Sequence, residues 1–184
     1  MAARHVAHNT GPIGAGSTAL NRGFPREAQN PVQRSGRFRS NLTARDLMTS
    51  SVVTARPEDS VERAARLISE LDCGALPVVD GSGRLIGIIT NRDITARLVA
   101  RGLSIEHAQV SDCMTDKAFA CSADNSIENC MRAMSWHQVR RIPIVDEDQR
   151  VIGIICKRDL ARYLCEHTGG SGRLAIADVL WALA

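Results

Sequence analysis

Leu85-Ile-Gly-Ile-Ile-Thr-Asn-Arg-Asp93 returns 66 positions later as Val151-Ile-Gly-Ile-Ile-Cys-Lys-Arg-Asp159, and how this stretch is read decides the fold. Each copy is a short β-branched apolar run, which favours a buried strand. One Gly interrupts it, and a polar turn then opens a helical pattern. The closing Asp stands at a strand-to-helix junction, where a carboxylate can accept hydrogen bonds from the hydroxyls of a ligand. The same place also suits an ordinary helix cap, and both readings stay open at Asp93 and Asp159.

Outward from the first copy, residues 75 to 79 form a second apolar strand, joined to 85 to 90 by Asp80-Gly-Ser-Gly83, whose glycines suit a hairpin. Before them, Val61, Ala64, Ala65, Ile68 and Leu71 recur at helical spacing behind the start signal Pro57-Glu-Asp-Ser60, and Gly74 ends that helix. A brief strand is expected around 52 to 54. Further upstream, Thr43 and Asp46 mark a short helical turn with a capping pair. Downstream, a helix runs from about Arg92 to Arg101 and stops at Gly102. The whole unit then recurs. Residues 46–94 match 112–160 without a gap, with 17 identities that include Ser60 with Ser126, Pro77 with Pro143 and Asp93 with Asp159. One register held this long implies two copies of a supersecondary unit, packed face to face about a pseudo-twofold axis.

A chain of 184 residues suffices for one ordinary domain or two small tandem ones. Aromatics are 3 % of it, so the core must be aliphatic. No apolar run approaches the roughly 20 residues of a membrane helix, and no secretory segment follows Met1, so a cytoplasmic protein is expected. Residues 1–40 hold six Arg and one Glu, leaving 17 basic and 19 acidic groups in the remainder. The positive charge thus belongs to a Gly- and Ser-rich tail read as disordered, and a folded nucleic-acid reader is disfavoured. Six cysteines at 73, 113, 121, 130, 156 and 165 show no metal spacing and read as core residues, with a redox or metal role left open for Cys73, Cys113 and Cys121. No nucleophile with a paired base and no phosphate-cradling Gly-rich loop with Lys is found, so no enzyme is expected.

Asp46-Leu-Met-Thr49, Ala75-Leu-Pro-Val-Val-Asp80, Arg141-Ile-Pro-Ile-Val-Asp146 and Gly87-Ile-Ile-Thr90-x-x-Asp93, in β-α-β-β-α order, resemble the CBS-domain family as a tandem pair, the Bateman module. The resemblance covers about 41 to 167. It implies an α/β (α+β) fold with repeats at 41–103 and 104–167. The tail at 1–40 precedes them, and the extension at 168–184 reads as carrying a short terminal helix at 173–180. The resemblance also implies a regulatory module, commonly a homodimer, that is read by a partner protein. The ligand it implies contains adenosine: AMP first, then ATP or ADP, NAD or S-adenosylmethionine.

In the primary site so implied, Thr90 and Asp93 hold the ribose. Ala118, Phe119 and Ala120 supply a facing strand, and Arg140, Arg141 and Arg158 meet the phosphate. A second site pairs Cys156 and Asp159 with Val53, Thr54, Gly74, Ala75 and Arg92. It is expected to be weaker, because a thiol is a poor hydrogen-bonding group and Gly74-Ala75 replaces the two arginines. Against these stand plainer readings: Arg140-Arg141 as a solvated pair at a helix end, Trp136 and His137 as packing or interface residues, and the pair as a ligand-free dimerisation scaffold.

Overall fold

The computed structural model describes residues 42–167, with side chains to 163, all inside one compact unit. The basic tail and the helix expected at 173–180 lie outside the described residues. In the first repeat, α1 (Ala44–Leu47) and α2 (Val61–Glu70) precede the hairpin of β1 (Ala75–Val79) and β2 (Leu85–Thr90), and α3 (Asn91–Arg101) follows. In the second, α4 (Val110–Cys113), β3 (Thr115–Asp116), β4 (Cys121–Ser122) and α5 (Ile127–Trp136) lead to β5 (Arg141–Val145), β6 (Val151–Cys156) and α6 (Lys157–His167).

Each helix begins where a side chain can cap it. Ser60 accepts from the Arg63 amide and Ser126 from the Asn129 amide, at 3.2 and 3.3 Å. At α1, Asp46 takes both the amide and the hydroxyl of Thr43 at 2.8 Å. Gly102, at φ 62°, closes α3 in the left-handed conformation. The strand expected at 52–54 is reduced to one parallel bridge, Ala55 to Val78. Its counterpart is β4, which pairs in parallel with β5 at Cys121 and Ser122. Pairing starts only where the chain runs alongside the hairpin, so 52–54 and 118–120 approach it as irregular chain.

The repeats exchange their entries. Ala44, with the half-buried Leu42, Leu47 and Met48, packs in the core of the second repeat around Ile127, Ile142, Ile144 and Ile155. Ala108, Val110 and Cys113 pack in the core of the first, around Val61, Leu76, Val78 and Ile89. The backbone bonds come in symmetry-related couples: Ala44 N–H to the Asn125 carbonyl and Val110 N–H to the Asp59 carbonyl, both at 2.8 Å. Arg84 bridges Arg150 across the axis itself. The Gly of the repeated motif is where the exchanged entry lands. A Cβ at Gly87 would stand 2.7 Å from the Thr115 carbonyl oxygen, and one at Gly153 would stand 2.9 Å from Met48 Cγ.

Cys113, Cys121 and Cys130 are buried in these cores, while Cys73 and Cys156 are half-buried. Burial pushes the Cys113 thiol up, and the hydrogen bond from Cys130 to Cys121 together with burial pushes Cys130 up, so neither is a ready thiolate. No group of three or more metal-ligating side chains occurs among the described residues.

Candidate functional site

A cavity of about 550 Å³ opens between the repeats, within the roughly 300–1,000 Å³ of typical small-molecule sites. From the first repeat, Thr90, Asn91, Arg92 and Asp93 line it at the β2–α3 junction. From the second, Lys117, Ala118 and Phe119 contribute the chain between β3 and β4, 137–140 contribute the turn before β5, and Arg141 opens β5. Ile88 and Pro143 add apolar wall. Four cationic side chains, Arg92, Lys117, Arg140 and Arg141, therefore surround one space with two carboxylates, Asp93 and Asp116. That surplus of positive charge suits an anionic ligand.

Thr90 and Asp93 form a capping box on α3. Asp93 Oδ2 accepts from the Thr90 amide at 3.0 Å and from its hydroxyl at 2.6 Å, and Thr90 Oγ1 accepts the Asp93 amide at 3.1 Å. Asp93 Oδ1 accepts from the Thr115 hydroxyl at 3.3 Å and lies 3.5 Å from Arg97. Arg97 in turn bonds the Met114 carbonyl and, at 2.9 Å, the Thr115 hydroxyl, which ties the junction to the second repeat's entry. The capping reading of Asp93 therefore holds, and Oδ1, which accepts only the Thr115 hydroxyl among the described bonds, has further acceptor capacity on a residue that lines the cavity. Phe119 and His137 stack with centroids 3.3 Å apart and planes 15° from parallel. Burial lowers the His137 pKa below its ordinary 6.5, so the imidazole is neutral at pH 7.

At the related β6–α6 junction, Asp159 Oδ2 accepts the Cys156 amide at 2.9 Å and Oδ1 lies 3.5 Å from Arg162. Burial first, then the Asp159 carboxylate, raises the Cys156 thiol. Arg141 crosses from β5 to the first repeat, where its Nε donates to the Cys73 carbonyl at 2.9 Å. Arg158 reaches Asp72 at 3.3 Å.

The CBS domain model matches residues 44–100 and again 110–166. This chain belongs to the CBS-domain family. Hypoxic response protein 1 of Mycobacterium tuberculosis is 37 % identical over 125 residues, 68 % of this chain and 87 % of that one. A crystal structure of Hypoxic Response Protein I with two coordinated zinc ions matches with a TM-score of 0.61 at 34 % identity, covering 66 % of this chain and 98 % of that one. The CBS domain pair of MJ0100, in complex with 5-methylthioadenosine and S-adenosyl-L-methionine, matches at 0.62 and 28 % identity, over 69 % and 98 % of the two chains. CBSX2 in complex with AMP matches at 0.62 and 25 % identity, over 68 % and 98 %.

Within the CBS pair, the primary-site residues Thr90, Asp93, Ala118, Phe119, Arg140 and Arg141 come together around the cavity. Ala120 and Arg158 are not among its lining residues, and Arg92 is. Arg158 was expected at the primary site and Arg92 at the second, yet the cavity takes Arg92. Arg92 shares the first turn of α3 with Asp93 and lines the same cavity, whereas Arg158, in the first turn of α6, reaches Asp72. Gly74, expected at the second site, lines this cavity too, beneath Arg141. Ala75 is buried in β1, Val53 is 39 % exposed and Thr54 is half-buried.

Lys117, Asn91 and His137 were not read as site residues. The signal for Asn91 was its place one residue after Thr90 in the motif. Lys117 carries φ 55°, a left-handed turn between two-residue strands that no periodicity marks. His137 looked like a packing residue because it ends an amphipathic helix; Trp136 beside it is 59 % exposed.

Proposed function

We propose that this CBS pair is a regulatory module that binds an adenine nucleotide in the cavity between its repeats. AMP is the first candidate, followed by ATP or ADP, NAD and S-adenosylmethionine. The observation that carries the reading is one cavity bordered by Asp93 from one repeat and Lys117, Arg140 and Arg141 from the other. Asp93 Oδ1 suits a ribose hydroxyl, and the cations suit phosphate through charge-assisted bonds worth about 1.5–3 kcal/mol each. The complexes of CBSX2 with AMP and of the MJ0100 pair with 5-methylthioadenosine and S-adenosyl-L-methionine support the same class. The junction at Cys156 and Asp159 serves as a weaker second site, since its thiol replaces the Thr90 hydroxyl.

The ligand's signal passes to a partner protein from a homodimer in the cytoplasm. Exposed apolar side chains support contact with a second copy, among them Val99 at 78 % and Trp136 at 59 % exposure. No helix among the described residues is long and apolar enough to cross a membrane. No catalytic step is assigned to the module.

Thermal unfolding with each ligand in turn tests the reading. A ligand at a hundred times its Kd adds about 2.7 kcal/mol of stability. If AMP, ADP, ATP, NAD and S-adenosylmethionine all leave the midpoint unmoved, the pair is a ligand-free scaffold.

A further inference from the structure

The turn between α2 and β1 is held from the other repeat. Arg141 donates from Nε to the Cys73 carbonyl at 2.9 Å. Its guanidinium lies against the bare backbone of Gly74, where a Cβ would stand 2.9 Å from the Arg141 Cζ. The held turn is itself unusual, with Asp72 at φ 45° and Gly74 at φ 64°. Its amide bonds are long, 3.3 Å from Asp72 N–H to the Ser69 carbonyl and 3.3 Å from Cys73 N–H to the Ile68 carbonyl. Arg158 adds an ion pair to Asp72, but both side chains are largely exposed and contribute little. The arrangement is one-sided, because the position related to Arg141 by the repeat is Ala75.

Arg141 and Gly74 also line the cavity. A guanidinium that donates to a neutral carbonyl at the wall of an anion-binding space has a stronger partner available once an anion enters. The bond to the carbonyl has one ionised partner, whereas a phosphate oxygen brings a full opposite charge and lets a guanidinium bond in bidentate fashion. Resting on the nucleotide reading above, we propose that Arg141 reads the ligand's phosphate by changing partners, leaving the Cys73 carbonyl for a phosphate oxygen and so unclasping the α2–β1 turn. Adenosine, which has no phosphate, leaves the clasp shut. A phosphorylated ligand thereby binds the unclasped arrangement more tightly, which is the condition for a ligand to shift a conformational equilibrium. The signal passed on is the release of one turn of the first repeat.

Amide hydrogen exchange at residues 72–74 of the full chain tests this, measured alone, with saturating adenosine and with saturating AMP. Calorimetric affinities of both ligands for the parent and for Arg141→Ala accompany it. AMP, and not adenosine, is expected to speed exchange at 72–74 in the parent. In Arg141→Ala, exchange there is fast with or without AMP, and the preference for AMP over adenosine falls about tenfold. An arginine that only braced the fold would weaken both ligands alike, which overturns the proposal. AMP that binds the parent and leaves exchange at 72–74 unchanged or slower also overturns it, with the nucleotide reading intact. Should Arg141→Ala not fold, the parent's exchange decides. Failure of AMP, ADP, ATP, NAD and S-adenosylmethionine to bind overturns the nucleotide reading and the clasp with it.

Discussion

At Asp93 the Oδ2 oxygen is committed to the N-cap of α3, so a ribose hydroxyl has to be accepted on Oδ1, against the 3.3 Å bond from Thr115 and the 3.5 Å approach of Arg97. Removing the carboxylate outright therefore costs a helix cap, typically about 1 kcal/mol, as well as ligand affinity. An Asn at this position keeps an oxygen for the cap and is the cleaner probe. His137, stacked on Phe119 at the cavity wall, carries a separate pH dependence. Burial holds its pKa below 6.5, so on acidification the unfolded chain takes up the proton first. Its contribution to stability is present in full above about pH 6.5 and is lost as pH falls from there through the lower folded value. Asp46, held below 3.8 mainly by the Thr43 amide, and Asp80, held there mainly by the Ser82 hydroxyl, titrate beneath that window. Urea unfolding from pH 7.5 to 5 is expected to show stability falling in the parent and a flatter profile in His137→Gln; equal slopes would contradict the assignment.

The two strand-to-helix junctions differ most at their caps. Thr90 accepts the Asp93 amide and closes the box at α3, whereas a thiol at Cys156 is a poor acceptor at the start of α6. Cys156→Thr is expected to stabilise the chain by about 1 kcal/mol, read as a raised urea midpoint at unchanged slope. A lowered midpoint would mean the half-buried site has no room for the methyl and hydroxyl of Thr. Element identity was legible in the sequence here, because β2 and β6 are β-branched apolar runs and the polar turns that end at Asp93 and Asp159 open α3 and α6. The expected strand at 52–54 was not, because a single bridge at Ala55 leaves almost no period to detect. The placement of Arg92 and Arg158 was legible in principle. Each arginine belongs to the same turn as its neighbouring Asp, so it stays at that end of the cleft, whereas the family resemblance had assigned each to the site across it.

The fold as a whole is held together by exchange: each repeat's entry helix completes the other's core, and the motif glycines are the contact points. The repeat and its pseudo-twofold axis could be read from one constant offset of 66, but the exchange could not, since Asp-x-Met-Thr shows no sign of which core it enters. Gly87→Ala is expected to destabilise by about 1–3 kcal/mol, because the obstructing atom is the Thr115 carbonyl, which is fixed in β3. Gly153→Ala should cost less, since the obstruction is the flexible side chain of Met48. Equal costs in denaturant unfolding would mean that the entries move as readily as a side chain. The central claim is that a nucleotide occupies the space between the repeats with its ribose on Asp93. Calorimetric titration of AMP into the parent and into folded Asp93→Asn tests it most directly. Saturable binding is expected in the parent, with a loss of about 1–3 kcal/mol in the variant; equal affinity in the two proteins would contradict a ribose held on Asp93.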